Sequence, residues 1–204
     1  MTLDLQQLRQ QVRTRRRALP AAERQQAALT VAHRLDSWPV LTRALRIAAY
    51  WACDGELDPK PILQWAWAMD KQVLLPVLTG ESAHPLQFAP YRPSAPLRRN
   101  RFGIPEPEVA STEWVQPVDL DLVLVPLVAF DMTGTRLGMG GGFYDRGFAF
   151  LHSAHDPNQR PYLLGLGYEF QNCIGLIRQP WDIPLDAAVT EQGLYEFSSA
   201  TGLP

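Results

Sequence analysis

Residues 122–146 constrain the fold of this 204-residue chain more than any other stretch. They begin with Leu-Val-Leu-Val at 122–125, an unbroken apolar run that is typical of a strand covered on both faces, and therefore of the interior of a parallel sheet. Pro126 is expected to end that strand, and the residue types at 131–134 favour a turn. A helical pattern resumes over 143–151. The stretch therefore predicts a buried strand, a turn, a loop and a helix start.

Four glycines within five residues form the loop of this stretch, at positions 138 and 140–142. Backbone without Cβ atoms can fold back and present its N–H groups, and a loop that runs from a strand into a helix N-terminus favours an anion, most often phosphate. The loop lacks the Gly-Lys-Ser/Thr of a P-loop and the spacing of G-x-G-x-x-G. A crowded turn that merely lets a helix approach the sheet is the alternative. The nearby charges of Arg136, Asp145 and Arg146 favour an anion site over it.

Composition limits the classes of protein to which the chain could belong. With 46% hydrophobic residues it can bury a sizeable core, and we expect one domain that spans residues 1–204. A net charge of −2, a polar amino end and the lack of an apolar run of about eighteen residues favour a soluble, cytoplasmic protein without a nucleic-acid or membrane partner. We also expect a monomer, although these features do not determine the oligomeric state. Cys53 and Cys173 fit neither a disulfide framework nor a metal motif, and four scattered histidines argue against a zinc site.

The first 35 residues predict a pair of helices, at about 3–35. Leu5, Leu8 and Val12 recur at helical spacing between arginines, which indicates a basic amphipathic helix over residues 3–18. A second helix is expected over 20–35, with a proline in its first turn. The arginines of the first helix could form a solvated face, contact nucleic acid, or reach a phosphate ligand bound elsewhere. Nucleic acid ranks last, because the chain is acidic overall and has no recognition motif.

A β-α-β pattern follows. Residues 46–51 and 71–76 have the composition of strands, and the helix between them is expected to begin with Asp58 as its N-cap and Pro59 at its first position. Such a crossover implies that the two strands pair in parallel. The residues of this helix that are expected to face the core are Ile62, Trp65 or Ala66, and Met69.

The remaining pattern predicts an α/β fold. Residues 79–119 are rich in proline and indicate one or two short edge strands near 86–89 and then an extended loop through 102–107. With further strands at 162–166 and 186–190, the alternation indicates a three-layer sandwich with a mostly parallel sheet. Ligands in such folds collect at the carboxyl ends of the strands, where we expect a cleft. The segments at those ends are 50–51, 54–58, 126–142 and 165–169.

Five motifs occur in a recognisable order along the chain. Residues 126–131 are Pro-Leu-Val-Ala-Phe-Asp, and residues 136–146 are Arg-Leu-Gly-Met-Gly-Gly-Gly-Phe-Tyr-Asp-Arg. Asp-Gly-Glu-Leu-Asp stands at 54–58, Gly-Ile-Pro-Glu-Pro at 103–107 and Asp-Ala-Ala-Val-Thr-Glu at 186–191. Together, and over the length of the chain, these motifs strongly resemble the 5-formyltetrahydrofolate cyclo-ligase family, also called the methenyltetrahydrofolate synthetases. None of them would be specific alone.

The resemblance implies an ATP- and Mg2+-dependent conversion of 5-formyltetrahydrofolate to 5,10-methenyltetrahydrofolate through a phosphorylated formyl group, with ADP and phosphate as products. It also implies a sheet similar to that of ribose-5-phosphate isomerase and the coenzyme A transferases. Arg136 would act in catalysis by clamping phosphate oxygens with its planar guanidinium. By resemblance the ATP-binding residues are Arg9, Arg136, Leu137, Gly138, Met139, Gly140, Gly141, Gly142, Phe143 and Tyr144, the folate-contacting residues are Trp51, Glu56, Phe143 and Tyr144, and the magnesium ligands are Asp145 and Asp186.

These assignments have simpler structural alternatives. Asp145 would be favourable in the first turn of a helix without any metal. Glu56 could simply end a turn, and Trp51, Phe143 and Tyr144 could be ordinary core aromatics. The sequence favours a ligand contact most clearly for Glu56 and Tyr144.

Two departures from the family's pattern reduce the positive charge available to a triphosphate. Many members carry a lysine where this chain has Leu5, and a basic residue inside the glycine loop, where it has Met139 and Gly141. Arg13, Arg146 or another arginine could compensate, ATP could bind more weakly, or the substrate could differ from the usual one. Two further functions therefore stay open: a non-catalytic binder of folate or nucleotide, and a sugar-phosphate isomerase or acyl transferase on the same fold.

Overall fold

The computed structural model describes residues 4–79, 86–153 and 160–197. Residue 3, at which the first helix was expected to begin, lies outside these ranges. Helices and strands alternate over much of the described chain, as expected of an α/β protein. In chain order they are α1 (Leu5–Ala18), α2 (Ala21–Leu35), α3 (Pro39–Arg43), β1 (Arg46–Ala48), α4 (Lys60–Ala68), β2 (Gln72–Leu78), β3 (Leu86–Pro90), β4 (Leu97–Arg99), β5 (Pro105–Pro107), β6 (Leu122–Pro126), β7 (Ala129–Phe130), β8 (Arg136–Leu137), α5 (Phe143–Gly147), β9 (Tyr162–Leu166), β10 (Ala187–Val189) and β11 (Leu194–Glu196).

A seven-stranded sheet organises the fold, in the order β11-β10-β9-β6-β1-β2-β3. The five strands from β10 to β2 pair in parallel, and the edge strands β11 and β3 are antiparallel to their neighbours. The prediction for residues 122–125 is confirmed, because β6 lies between two parallel partners and each of these residues is at most 1% exposed. β6 ends at Pro126, which has no N–H to give to the ladder.

Apolar side chains cover both faces of this sheet. On one face α2 and α4 pack against it, with Val31, Leu35 and Ile62 almost completely buried. On the other face the core includes Phe88 and Phe148, together with chain around the β7–β8 hairpin and α5. Both faces being covered explains why the central strands are apolar at every position rather than at alternate ones.

The two predicted N-terminal helices are confirmed as α1 and α2. Asp4 is the N-cap of α1 and accepts the N–H groups of Gln6 and Gln7, while Pro20 precedes the first turn of α2. Arg16 is completely buried, so a purely solvated arginine face is wrong at this position. In the part of the chain that the structure describes, no helix is long and apolar enough to span a membrane.

Residues 97–107 form a hairpin where the sequence indicated an extended loop. β4 pairs with β5 in antiparallel fashion, with Leu97 opposite Pro107. The Asn100 side chain accepts the N–H groups of Phe102 and Ile104, and Gly103 adopts a φ of +75°. These hydrogen bonds to the Asn100 side chain stabilise the turn between β4 and β5, which the proline-rich composition did not indicate.

Two helix boundaries also differ from the prediction. The N-cap of α4 is Pro59 rather than Asp58, although the Asp58 carboxylate still accepts the N–H of Lys60 at 2.9 Å. Since α4 ends at Ala68, Met69 lies beyond its last turn and is 58% exposed rather than buried. The helix expected over 143–151 divides into the single turn of α5 and a short 3-10 segment.

Candidate functional site

The carboxyl ends of β1, β6 and β9 meet as the sequence predicted. Arg16 of α1 joins two of them, because its guanidinium donates to the carbonyl of Leu127 at 3.2 Å and to the Asp54 carboxylate at 3.2 Å. The side-chain amide of Gln171 joins the third, donating to the carbonyls of Leu127 and Val128 at 2.9 and 2.8 Å. The segments that follow these three strands therefore surround one region.

The glycine loop, residues 138–142, is exposed at its centre, and it is crowded only where Gly141 and Gly142 approach the side chains of Phe143 and Arg146. Gly140 and Gly142 have φ values of +92° and +61°, which other residues rarely adopt. A Cβ atom built on Gly138 or Gly140 would meet no heavy atom within 4 Å beyond its chain neighbours. The glycines at these two positions are thus not needed for close packing, and the alternative of a crowded turn fails there. What they leave is open backbone that can face a ligand.

Two arginines hold the carbonyl side of this loop. The half-buried Arg9 of α1 donates from Nε to the carbonyl of Gly138 at 2.9 Å. Arg146 donates to the carbonyl of Gly141 at 2.9 Å, and its guanidinium lies 5.5 Å from the centre of the Phe143 ring. Arg13, the other proposed compensating arginine, instead pairs with Asp54 at 2.6 Å. Of the two arginines proposed to compensate, Arg146 is therefore the one that the structure places at the loop, beside Arg9.

Leu137 differs from the rest of the predicted ATP-binding stretch. Its side chain is 6% exposed and packs with Val12 and Val128, while its carbonyl accepts the N–H of Val128 at 2.7 Å. The side chain of Met139 is 51% exposed. Leu137 thus anchors the loop to the core, and the exposed chain begins after it.

Arg136 and Asp145 form an ion pair beneath the loop, with Nη2 and Oδ1 2.6 Å apart. The Arg136 side chain is 6% exposed and also donates to the carbonyl of Ile183, whose N–H donates to the same Oδ1 of Asp145 at 3.2 Å. Burial lowers the pKa of Arg136, and the carboxylate of Asp145 opposes that effect. The structure therefore brings the predicted clamp and one predicted magnesium ligand into direct contact.

Asp186 is held by a different set of partners. It precedes β10 and forms a two-pronged ion pair with Arg160, with one contact at 3.1 Å, and it also accepts the N–H of Leu163 at 2.8 Å. It shares none of these partners with Asp145. In the described parts of the chain, no group of three or more His, Cys, Asp or Glu residues could hold a metal ion. The two predicted magnesium ligands are thus not joined in one cluster.

Glu56 is a buried carboxylate at the end of β1, with 9% of its side chain exposed. Its Oε2 accepts the N–H of Cys53 at 3.1 Å, and its Oε1 lies 3.9 Å from Nη1 of Arg16. Burial raises the pKa of Glu56, whereas the Cys53 N–H and the charge of Arg16 act to lower it. The carboxylate does close a turn, as the simpler alternative held, and it also lies beside a buried cation.

The two aromatic residues that follow the glycine loop face different surroundings. The hydroxyl of Tyr144 is buried and has no hydrogen-bond partner among the described residues. Burial raises the pKa of Tyr144, and the nearby Glu56 adds to that effect. Phe143 instead packs edge-on against Phe102 of the β4–β5 hairpin, with ring centres 5.8 Å apart. Tyr144 thus points into the same buried region as Glu56, and Phe143 points toward the hairpin.

Trp51 lies at the border of this region. It is 36% exposed and packs edge-on against Tyr91, with ring centres 6.3 Å apart. Tyr91 in turn contacts Trp67 at 5.5 Å. Trp51 is therefore not an ordinary core aromatic, since part of its ring is available to a ligand.

Sequence reasoning missed two side chains of this site. Arg16 could have been found, because it lies one helical turn after Val12 on the apolar face of α1. Phe102 could not, because only the hairpin brings it to Phe143, and it remains 56% exposed. The residues missed are those whose position depends on contacts between distant segments.

The comparisons with known proteins agree with one another. Residues 2–191 match the model of the 5-formyltetrahydrofolate cyclo-ligase family. The chain is 38% identical to the 5-formyltetrahydrofolate cyclo-ligase of Escherichia coli K12 over 91% of its own length and 100% of that protein. It is also 38% identical to the Haemophilus influenzae protein of the same name, over 88% of this chain and 94% of that protein.

Solved structures show the same likeness. The 5,10-methenyltetrahydrofolate synthetase of Aquifex aeolicus superposes with a TM-score of 0.79 at 31% identity, covering 98% of this chain and 96% of that chain. The synthetase of Mycoplasma pneumoniae has a TM-score of 0.70 at 22% identity, covering 93% of this chain and 99% of that chain, and supports the fold alone.

Proposed function

The chain belongs to the 5-formyltetrahydrofolate cyclo-ligase family, and from this premise we propose how its cleft performs the family's reaction. The protein is an ATP-dependent ligase that converts 5-formyltetrahydrofolate to 5,10-methenyltetrahydrofolate. The isomerase and acyl-transferase alternatives thereby fall away. We propose the order of the chemical steps and the residues that act in them.

The chemistry requires activation of the formyl oxygen. That oxygen is a poor leaving group, so we propose that it attacks the γ-phosphorus of ATP and releases ADP. The neighbouring folate nitrogen then attacks the formyl carbon, closes the ring and gives up its proton to solvent, and the bond from that carbon to the phosphorylated oxygen breaks so that phosphate leaves. Such a transfer depends on positioning and charge neutralisation more than on covalent help from the protein.

The open backbone of the glycine loop is the observation that carries the nucleotide half of this proposal. Gly138 and Gly140 have space where a side chain would stand, and Arg9 and Arg146 hold the loop by its carbonyls. The N–H groups of the loop can then face the phosphates of ATP. Arg136 uses two of its five N–H groups on Asp145 and Ile183, and we propose that others reach a phosphate oxygen. The helix dipole contributes little, because α5 has a single turn.

The folate half of the site is formed by Glu56, Tyr144 and Trp51. A pterin ring presents N–H donors, which a buried carboxylate can accept, and Glu56 is such a carboxylate. The unpartnered hydroxyl of Tyr144 would gain a partner from the same ligand. Trp51 and Phe143 offer aromatic surface at the border, and Phe102 extends it from the hairpin. Closing this surface over the ligands would exclude water from the phosphorylated intermediate.

The two carboxylates predicted to bind magnesium, those of Asp145 and Asp186, differ in how well they could hold the ion. Mg2+ is commonly held by one or two carboxylates together with phosphate oxygens and waters. At Asp145 both described contacts are made through Oδ1, so Oδ2 is the oxygen from which a bound ion could be held. When bound with ATP, the ion would neutralise phosphate charge. The sequence-based prediction for Asp186 stays a prediction, and its carboxylate would have to leave Arg160 to contribute.

Asp145→Asn should raise the magnesium concentration needed for half-maximal activity by about ten-fold, since a neutral amide is a weaker ligand for a hard cation. The measurement is a magnesium titration at fixed ATP with product formation as the signal. Asp186→Asn is the matched variant. If this magnesium concentration rises only in Asp186→Asn, Asp186 is the magnesium ligand. If it is unchanged in Asp145→Asn, Asp145 has only a structural role.

The purified protein is expected to form the methenyl chromophore when given ATP, magnesium and 5-formyltetrahydrofolate, with release of one phosphate per product. The signal is the absorbance of the methenyl product, read beside a phosphate assay. Ligand-dependent thermal stabilisation without phosphate release would instead indicate the non-catalytic binder.

Three further proposals concern the whole chain rather than the site. We propose that residues 1–204 act as one domain with its N-terminal helical pair, and that the protein is a cytoplasmic monomer. We also propose that the sheet arrangement is similar to that of ribose-5-phosphate isomerase and the coenzyme A transferases. Sedimentation of the pure protein tests the oligomeric state, and limited proteolysis tests the single domain.

A further inference from the structure

Arg16 is a charged residue that the sequence-based site did not include. Its side chain is completely buried and is among the largest fully buried side chains of the described residues. Nη2 donates to Asp54 at 3.2 Å, and Nη1 donates to the carbonyl of Leu127 at 3.2 Å. Nη1 also lies 3.9 Å from Oε1 of Glu56. One guanidinium therefore contacts the turn after β1 and the chain after β6.

The turn at residues 54–56 packs against the backbone of α1 at Arg16. Gly55 has a φ of +73°, and a Cβ atom at this position would lie 2.9 Å from the backbone carbon and oxygen of Arg16. Asp54 has a φ of +53°, in the left-handed region that few non-glycine residues adopt. Helix α1 thus packs directly on the turn, and the distance between Arg16 and Glu56 is fixed by backbone contact as well as by charge.

The arginines of α1 divide into two kinds. Arg13 and Arg17 pair with Asp54, and their side chains are 37% and 56% exposed. Arg16 is the member of this cluster for which an ion pair with Glu56 is also observed. A carboxylate that accepts donors from a ligand must stay ionised and keep its orientation, and a buried cation beside it favours both.

We propose that Arg16 is a positioning residue of the cyclisation reaction, which holds the carboxylate of Glu56 ionised and aimed at the folate. The inference rests on the proposed role of Glu56. Arg16 itself touches neither substrate, and it acts through Glu56 and the turn that carries it.

Several groups surround Glu56 and determine its titration. Burial raises its pKa, as does the charge of Asp54, while the N–H and thiol of Cys53 and the charge of Arg16 lower it. Tyr50 and Tyr144 are buried nearby, and Glu56 raises the pKa of each in addition to the larger effect of burial. Removing Arg16 takes away a lowering contribution, so the pKa of Glu56 rises. The acidic limb of kcat/KM for the folate should then move to higher pH, because the ionised carboxylate is the active form.

The test compares Arg16→Met with Arg17→Met, which removes an ion pair to Asp54 and leaves Glu56 untouched. Arg16→Met should raise KM for 5-formyltetrahydrofolate by about ten-fold and leave KM for ATP within about two-fold of the wild-type value. It should also move the acidic limb of the kcat/KM profile to higher pH. Arg17→Met should change neither KM nor the limb. If Arg16→Met does not fold, Arg16→Lys is tested in its place. The lysine ammonium lacks the planar guanidinium and cannot contact Asp54, Leu127 and Glu56 together. Arg16→Lys should therefore show a smaller rise in KM for the folate and a smaller shift of the acidic limb.

An unchanged KM and acidic limb in a folded Arg16 variant would overturn the inference, as would an equal effect in Arg17→Met. Failure of the proposed function is a separate outcome, since the wild-type protein would then form no methenyl product. In that case thermal stabilisation by 5-formyltetrahydrofolate alone is compared between the wild type and the variants. Weaker stabilisation of Arg16→Met than of Arg17→Met supports the positioning role, and equal stabilisation overturns it.

Discussion

Replacing Arg136 with alanine should lower kcat/KM for ATP by about 100- to 1,000-fold, the effect that follows loss of a donor to developing negative charge. By resemblance to the family, Arg136 clamps phosphate oxygens, and this loss of activity follows from that role alone. The structure adds a second consequence, because Arg136 is 6% exposed and forms an ion pair with Asp145. Losing one partner of a buried pair costs about 3 to 5 kcal/mol, and we expect the lower end here since Asp145 is 27% exposed.

Activity and stability must therefore be measured together for Arg136→Ala. Kinetics are recorded at a temperature where circular dichroism shows a folded protein. Arg160→Ala is the matched control, since it breaks another partly buried ion pair, with Asp186, away from the glycine loop. It should lose comparable stability with KM for ATP unchanged. Full activity of folded Arg136→Ala would refute the clamp, and equal kinetic losses in both variants would reduce Arg136 to a structural role.

Replacing Glu56 with glutamine should raise KM for 5-formyltetrahydrofolate by about 10- to 100-fold, which corresponds to the loss of a charge-assisted hydrogen bond. Glutamine has nearly the same shape, so the turn should keep its backbone. The neutral amide, however, brings its own N–H group to a place where the ligand also presents donors. It also leaves the buried Arg16 with only Asp54 as its ionised partner. KM for ATP should stay within about two-fold of the wild-type value.

The control for Glu56→Gln is Asp121→Asn. Asp121 accepts the N–H groups of Leu45 and Arg46, both at 2.8 Å, at the opposite edge of the same sheet. Its loss should lower the melting temperature and leave both KM values unchanged. If Glu56→Gln binds and turns over the folate normally, Glu56 serves only to close its turn.

The sequence predicted the elements that are determined by residues close together in the chain. β6 was predictable because a strand buried on both faces must be apolar at successive positions, and α1 because its spacing and its N-cap are local. The composition of the glycine loop indicated an anion site, and that role stays a prediction. Only the coordinates show that Gly138 and Gly140 face open space, whereas Gly141 and Gly142 lie against the side chains of Phe143 and Arg146.

The predictions that failed concern a helix boundary and a turn. Met69 fits the apolar spacing of α4, but the helix ends one residue earlier and leaves it exposed. The hairpin at 97–107 depends on Asn100, whose side chain bonds the turn in a proline-rich stretch. Both outcomes depend on local features, a helix end and a turn held by a side chain, that apolar spacing and proline content do not indicate. The magnesium role of Asp186 stays a prediction, and the structure shows that Arg160 from another segment pairs with its carboxylate.

Helix α1 contacts both halves of the cleft. Arg9 donates to the glycine loop, and Arg16, two turns later on the same helix, contacts the turn that carries Glu56. In the proposed mechanism, a displacement of the loop by a nucleotide would be passed through α1 to the carboxylate of Glu56, and we therefore expect the two affinities to be thermodynamically linked. Such linkage is reciprocal: the factor by which ATP changes the affinity for folate is the factor by which folate changes the affinity for ATP.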